Sequence, residues 1–316
     1  MIGIHSIGTY VPQELENNFQ KIEKFSVDKK FITEKIGFKN LAKKQQNETS
    51  SDLATQAFHN LCKHNEINRE KIDFIAVCTQ NGDNQIPHTS SILQHKLALP
   101  KSCAAFDISL SCSGYVYGLQ IAKSFMEAND LKNGLLFTAD PYSNITSDND
   151  KNTNLLFGDA ATVTLLNNEA AYDMKRTVYL TSGEKHSALI KEKNAPLKMN
   201  GRVILDFCIK NVETSIKNCI EKNEITPDSI DLILLHQASK YIIDLISSKL
   251  INAFPCFENK IPFRAENIGN TISSTIPLLL KNFLNSNNKN ILLSGFGAGL
   301  SIATTLIQKR STQHEE

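Results

Sequence analysis

Apolar positions along the chain follow two alternating periods. Short apolar runs, rich in β-branched and aromatic residues, stand near 2–8, 72–79, 104–110, 134–139, 160–166, 177–182, 231–236 and 290–294, and predict strands. Between them, apolar residues recur at spacings of three and four near 50–63, 89–97, 113–128, 201–222, 239–250 and 273–285, which predicts amphipathic helices. In the third of these, Tyr115, Val116, Leu119, Ala122 and Met126 define the apolar stripe. Strand and helix alternating in this way implies an α/β architecture built in layers. The polar run Ser143–Asn154 reads as a surface loop, the stretch 184–200 as irregular, and the tail Lys309–Glu316 as disordered.

The pattern also repeats. Lys71-Ile-Asp-Phe-Ile-Ala-Val-Cys-Thr-Gln80 is echoed by Ser229-Ile-Asp-Leu-Ile-Leu-Leu-His-Gln-Ala238, which places Asp73 and Asp231 158 positions apart (231 minus 73). Cys112 and Asn270 are separated by the same 158 positions (270 minus 112). Leu135-Leu-Phe-Thr-Ala and Ile291-Leu-Leu-Ser-Gly form a third pair, 156 apart (291 minus 135). Matched units in the same order predict two similar α/β halves, residues 1–168 and 169–316. A pseudo-twofold axis between them would bring Cys112 and Asn270 together, each at a helix N-terminus.

Three segments carry candidate chemistry. Cys112 follows a strand-like run and precedes a helix-like one, where unpaired backbone N–H groups and the helix dipole favour a thiolate. His236 closes the apolar strand Ile230–Leu235, and Asn270 tips a polar turn that opens onto a helix. Taken singly, these are a packing thiol, a core histidine and a turn residue. Together they supply a nucleophile, an imidazole and an amide donor. Gly295-Phe-Gly-Ala-Gly299 lacks the G-x-G-x-x-G spacing, so it is read as a close backbone approach to a ligand, or as a tight turn, and not as a dinucleotide site.

Composition narrows the field further. Lys plus Arg total 34 against 33 for Asp plus Glu, and a net charge of +1 gives no nucleic-acid footprint. No apolar run is long enough to cross a bilayer, and the first residues do not read as a signal peptide. The seven cysteines show no CxxC or Cys/His cluster, so neither zinc nor a disulfide framework is expected and a reducing cytoplasm fits. His88 and His95, seven apart, lack a third ligand and are read as structural.

The chain resembles the β-ketoacyl-(acyl carrier protein) synthase III family of the thiolase superfamily. The resemblance rests on Gly3-Ile-His-Ser-Ile-Gly-Thr-Tyr-Val-Pro12, Phe31-Ile-Thr-Glu-Lys-Ile-Gly37, the Cys112 segment, Phe157-Gly-Asp-Ala-Ala161, His236-Gln-Ala, Gly269-Asn-Thr and Ser294-Gly-Phe-Gly-Ala-Gly-Leu300, in family order. It implies a thiolase-like αβαβα fold and a homodimer. It also implies decarboxylative Claisen condensation of a Cys112-bound acyl group, from acyl-CoA or acyl-carrier protein, with malonyl-carrier protein. In that chemistry the N–H groups of Cys112 and Ala298 form an oxyanion hole, and His236 and Asn270 hydrogen-bond the malonyl thioester. Coenzyme A and phosphopantetheine enter as parts of substrates, with no metal or redox cofactor.

The resemblance also implies binding roles for Phe31, Lys151, Phe157, Ile86, Lys240 and Tyr241. Several depart from the family pattern. Phe31 stands where bacterial relatives often have tryptophan, and Tyr241 and Asp206 stand where they carry basic side chains at the tunnel mouth. Ile86 replaces a frequent phenylalanine in the acyl pocket, which points toward an unusual acyl chain and a specialised or polyketide pathway. Two other readings remain: acyl transfer from the same cysteine to an alcohol or amine, against which Asn270 argues, and a non-catalytic partner subunit, against which the intact Cys112, His236 and Asn270 argue.

Overall fold

A computed structural model describes residues 1–310. Nine strands form its main sheet: β1 (Gly3–Tyr10), β2 (Phe74–Cys78), β3 (Ala104–Ile108), β4 (Asn133–Ala139), β5 (Ala161–Asn167), β6 (Tyr172–Thr181), β7 (Leu232–Leu235), β8 (Asn290–Gly297) and β9 (Ser301–Lys309). Their order across the sheet is β7-β8-β9-β6-β1-β5-β4-β2-β3. In the first half, β2 pairs in parallel with β3 and β4, and β4–β5 and β5–β1 are antiparallel. The second half repeats this with β7–β8 parallel and β8–β9 and β9–β6 antiparallel. Only Gly3 and Ile4 of β1, facing Asp173 and Tyr172 of β6, join the halves edge to edge. Among the described residues the second half has no strand corresponding to β3; there Lys260 offers a single carbonyl to the Ile233 N–H.

Six helices complete the layers: α1 (Ser50–Cys62), α2 (Thr89–Lys96), α3 (Gly114–Ala128), α4 (Gly201–Lys222), α5 (Lys240–Ala253) and α6 (Thr275–Lys281). α3 packs against β2 and β4 of one half and β8 and β9 of the other, and α6 likewise touches strands of both halves. α1 and α2 cover the outside of the first half; α4 and α5 cover the second. The result is the αβαβα layering implied by the resemblance. Tyr115, Val116, Leu119, Ala122 and Met126 of α3 are all fully buried. Each such Val, Leu or Met contributes about 1.5–3 kcal/mol by leaving water.

Some elements differ from the sequence reading. β9 lies outside the strands that the sequence pattern predicts, as do the short paired strands Glu14–Asn17 and Asn40–Lys43. The polar run at 143–154 is not all surface: it holds a short helix, Lys151–Asn154, in which Thr153 and Asn154 are buried. Lys309 ends β9 and Arg310 is tied to Asp173, Asn168 and Met1, so these two are ordered; the rest of the predicted disordered tail lies outside the described residues. All seven cysteines are unpaired. No described helix is long and apolar enough to cross a membrane.

Candidate active site

Cys112 sits in the small polar turn Ser109–Ser113 between β3 and α3, only 5% exposed. Two elements hold that turn. The Ser113 hydroxyl is 2.8 Å from the Ser301 hydroxyl at the start of β9. The last residue of β8, Gly297, runs so close that a Cβ there would lie 2.7 Å from Cys112 Cβ and 2.8 Å from Sγ, so the strand can reach the thiol only as glycine. The backbone N–H groups of Ala298 and of Cys112 itself face the sulfur and favour its anion, but burial outweighs them and pushes the thiol up to about 12. This corrects the expectation of a resting thiolate: desolvation exceeds the help of the helix terminus.

His236 follows β7, its N–H donating to the Ser294 carbonyl of β8 at 2.9 Å. Burial drives its imidazole down to about 3, so the ring is neutral. Nδ1 lies 2.7 Å from Thr275 Oγ1, and the Thr275 hydroxyl donates to the Ile272 carbonyl at 3.1 Å. With that donation made, Thr275 accepts from Nδ1–H and Nε2 keeps its lone pair. The Phe296 ring meets the imidazole edge-on at 5.5 Å between centroids.

Asn270 is held by the first half of the chain. Its N–H donates to Leu156 O at 2.9 Å, and its carbonyl accepts from the Gly158 N–H at 3.0 Å. Gly269 makes the turn possible at φ +83, where a Cβ would also lie 2.6 Å from Leu41 Cδ2. The side chain is fixed as well: Oδ1 accepts from the Ile272 N–H at 3.0 Å, while Nδ2 donates to Ala238 O at 3.3 Å and points at His236 Nε2 at 3.4 Å.

Cys112, His236 and Asn270 line one cavity of 190 Å³ whose walls are otherwise largely apolar, among them Leu156, Phe157, Ile204 and Phe296. A second cavity, 660 Å³, lies next to the Cys112 turn, walled in part by Ser111, Tyr142, Leu197 and Ala298. Of the proposed binding residues, Phe157 and Tyr241 line the first cavity. Phe31, Lys151, Lys240 and Ile86 line neither cavity. Lys151 Nζ stands 5.9 Å from the Phe31 ring, and Lys240 is tied to Asp244 at 2.6 Å. Ile86 projects away, 86% exposed.

Sequence reasoning missed Lys35, Thr275 and Phe296. Lys35 lies in the Phe31–Ile36 turn and places its ammonium 3.5 Å over the Tyr241 ring in the wall of the first cavity, so a cation stands directly beside that tyrosine. The Phe31–Gly37 motif was the available signal for it.

Two family models match the chain: 3-oxoacyl-[acyl-carrier-protein] synthase III over residues 106–183, and the C-terminal part of that family over 220–309. These segments deliver Cys112 on one side, and His236 and Asn270 on the other. A solved 3-oxoacyl-(acyl-carrier-protein) synthase III superposes with a TM-score of 0.90 at 29% identity, covering 97% of this chain and 99% of that one. The synthase III from Thermus thermophilus gives 0.89 at 28% identity, covering 98% and 100%. Layering and site together define a condensing enzyme of the thiolase superfamily. Within it, the chain belongs to the β-ketoacyl-[acyl-carrier-protein] synthase III family of acyltransferases. It is 30% identical to the synthase III of Streptococcus sanguinis, over 96% of this chain and 98% of that protein.

Proposed function

We propose that the protein joins a Cys112-bound acyl primer to malonyl-acyl carrier protein with loss of carbon dioxide, giving a β-ketoacyl thioester. The observation that carries this reading is the convergence of three groups on one cavity: a nucleophile from one half of the fold, and an imidazole and an amide from the other, with Asn270 Nδ2 3.4 Å from His236 Nε2. The Cys112 thiol is neutral at rest, so its proton passes to His236 Nε2 as sulfur attacks the primer thioester, and then to the departing thiol. The N–H groups of Cys112 and Ala298 stabilise the tetrahedral oxyanion. In the second half-reaction, His236 and Asn270 donate to the malonyl thioester carbonyl and stabilise the enolate formed as carbon dioxide leaves.

Coenzyme A and phosphopantetheine serve as parts of substrates, and the chemistry calls for no metal or redox cofactor. The cavity holding Cys112 receives the thioester arm past Lys35 and Tyr241, while the 660 Å³ cavity beyond takes the acyl chain of the primer. The half-polar character of that second cavity, with Tyr142 and Ser111 in its wall, favours an unusual primer and a specialised or polyketide pathway. A cytoplasmic homodimer accords with the seven unpaired cysteines, the apolar edge strand β3 and the bare Ile86.

Intact-protein mass after exposure to a panel of acyl-CoAs and acyl carrier proteins, followed by malonyl-carrier protein, tests the reading. An adduct absent from Cys112→Ala and released as β-ketoacyl product is expected. Release only to an alcohol or amine would establish acyl transfer instead, and no adduct from any donor would favour a partner-subunit role.

A further inference from the structure

Behind His236 lies a third cavity, 280 Å³, with Thr9, Arg264, Thr275, Leu278, Lys281 and Asn282 in its wall. It reaches the surface at the exposed Arg264 and Asn282. Its volume holds several waters, each occupying about 30 Å³ in the liquid. Lys281 Nζ, in the same wall, donates to Thr9 Oγ1 at 3.1 Å. His236 lines the front cavity and Thr275 lines this rear one. The 2.7 Å contact between Nδ1 and Oγ1 links a side chain in the wall of one cavity to a side chain in the wall of the other.

We propose that Thr275 is a proton relay, delivering from the rear cavity through His236 the proton that each condensation consumes. This rests on the condensing reading above. The condensation consumes one proton, at a moment when the front is closed. Acyl-Cys112, a malonyl thioester carboxylate and one proton give β-ketoacyl thioester, carbon dioxide and the Cys112 thiol. The carboxylate–carbon bond breaks, its electron pair forms the new carbon–carbon bond, and the carbon–sulfur bond to Cys112 breaks to leave a thiolate. During this step the phosphopantetheine arm fills the front cavity, and the buried thiolate needs a proton from elsewhere.

The geometry provides a path. Donation to the malonyl carbonyl uses the tautomer with a proton on Nε2, in which the Thr275 hydroxyl turns from Ile272 O to donate to Nδ1. Between the half-reactions, while the tunnel stands open, Nε2 takes a proton from water in the tunnel and Nδ1 passes its own through Thr275 to the rear cavity, which stores it for return. As the carbon–sulfur bond breaks, Nε2–H protonates the thiolate, Nδ1 takes the Thr275 proton, and the rear cavity recharges Thr275. The ring finishes with Nδ1–H on Thr275 and a free Nε2, which is the arrangement described above. Acylation differs: the thiol proton moves to Nε2 and on to the departing thiol, entirely on the front side.

The two half-reactions therefore separate a relay from a residue that only orients the ring. Single-turnover acylation and steady-state product release are measured for wild type, Thr275→Val, Thr275→Ser and Leu278→Phe. Thr275→Val is expected to lose about 10- to 100-fold more in product release than in acylation, the size of a lost acid–base contribution beyond the loss of ring orientation. Thr275→Ser should restore most of that loss. Leu278→Phe, which narrows the rear cavity without touching the relay, should show the same selective slowing and serves if the valine variant does not fold. Equal losses in both half-reactions, or none, would overturn the relay. Wild-type protein that acylates yet forms no β-ketoacyl product would overturn the condensing reading itself.

Discussion

Asp73 and Asp231 make the same three contacts on opposite halves of the molecule. Asp73 Oδ2 accepts from the N–H groups of Lys132 and Asn133 at 2.8 and 3.0 Å, and its own N–H donates to Asn133 O at 2.9 Å. Asp231 Oδ2 accepts from Lys289 and Asn290 at 2.6 and 2.9 Å, and its N–H donates to Asn290 O at 2.9 Å. Each carboxylate thus pins the start of the neighbouring parallel strand, β4 or β8, in register with its own. Asp73→Ala and Asp231→Ala should each cost about 1–2 kcal/mol, by similar amounts, since each removes a side-chain acceptor of two backbone donors. Urea unfolding checks this; an effect confined to one half would sink the equivalence.

That repeat was legible because the strands after both aspartates are short apolar runs, and the 158-residue offset carried Cys112 and Asn270 with it. The final strand was not. β9 contains Thr304 and Thr305, both fully buried, which break an apolar reading of Ser301–Lys309. Their hydroxyls are paired with Ser215 and Ser294, and with Thr177, partners that lie far along the chain or in a neighbouring strand. Lys35 and Tyr241 are likewise distant in sequence, so their contact has no local signature. The place of Cys112 between β3 and α3 was legible, but its protonation state was not: the dipole is a local property, whereas burial belongs to the assembled layers.

Gly297 tests how tightly Cys112 is held. Gly297→Ala would put a methyl group within 2.8 Å of Cys112 Cβ and Sγ, so the thiol or the strand must shift. Displacement on the order of 1 Å costs roughly a hundredfold in rate. Acylation should fall by about that factor while the circular dichroism spectrum stays that of wild type. A variant that acylates at the normal rate would show that β8 does not set the cysteine's position.

His236 should not titrate where histidines usually do. Burial lowers its folded value to about 3, against 6.5 for the unfolded chain, so the acylation rate should show no histidine limb between pH 5.5 and 8. The same shift affects stability. Because the folded value is depressed, the histidine's contribution is complete above pH 6.5 and is lost as the pH falls toward 3, by at most about 1.4 kcal/mol per pH unit. Wild type should therefore lose stability more steeply than His236→Gln between pH 6.5 and 4. Parallel curves from chemical denaturation would show that the imidazole charges freely in the folded protein.

Asp140 ends its strand run inside the protein, beside Cys78, Cys112 and Tyr142. Its Oδ1 accepts from the Gln80 N–H at 3.1 Å and from Asn81 Nδ2 at 2.7 Å, while Oδ2 has no partner. Burial raises the carboxyl to about 7. A value raised above the unfolded one gives stability that is fully present below pH 4 and lost as the pH climbs through 7. The loss approaches about 4 kcal/mol over the three-unit window as an upper limit. An amide can keep both hydrogen bonds at Oδ1 and carries no charge. Asp140→Asn should therefore be more stable than wild type at pH 8, with the advantage shrinking steadily as the pH falls and vanishing near pH 4. Unfolding midpoints for the two proteins across pH 4 to 8 decide the matter. A variant weaker than wild type at pH 8 would mean that the buried carboxylate is ionised and that its charge is matched by its surroundings.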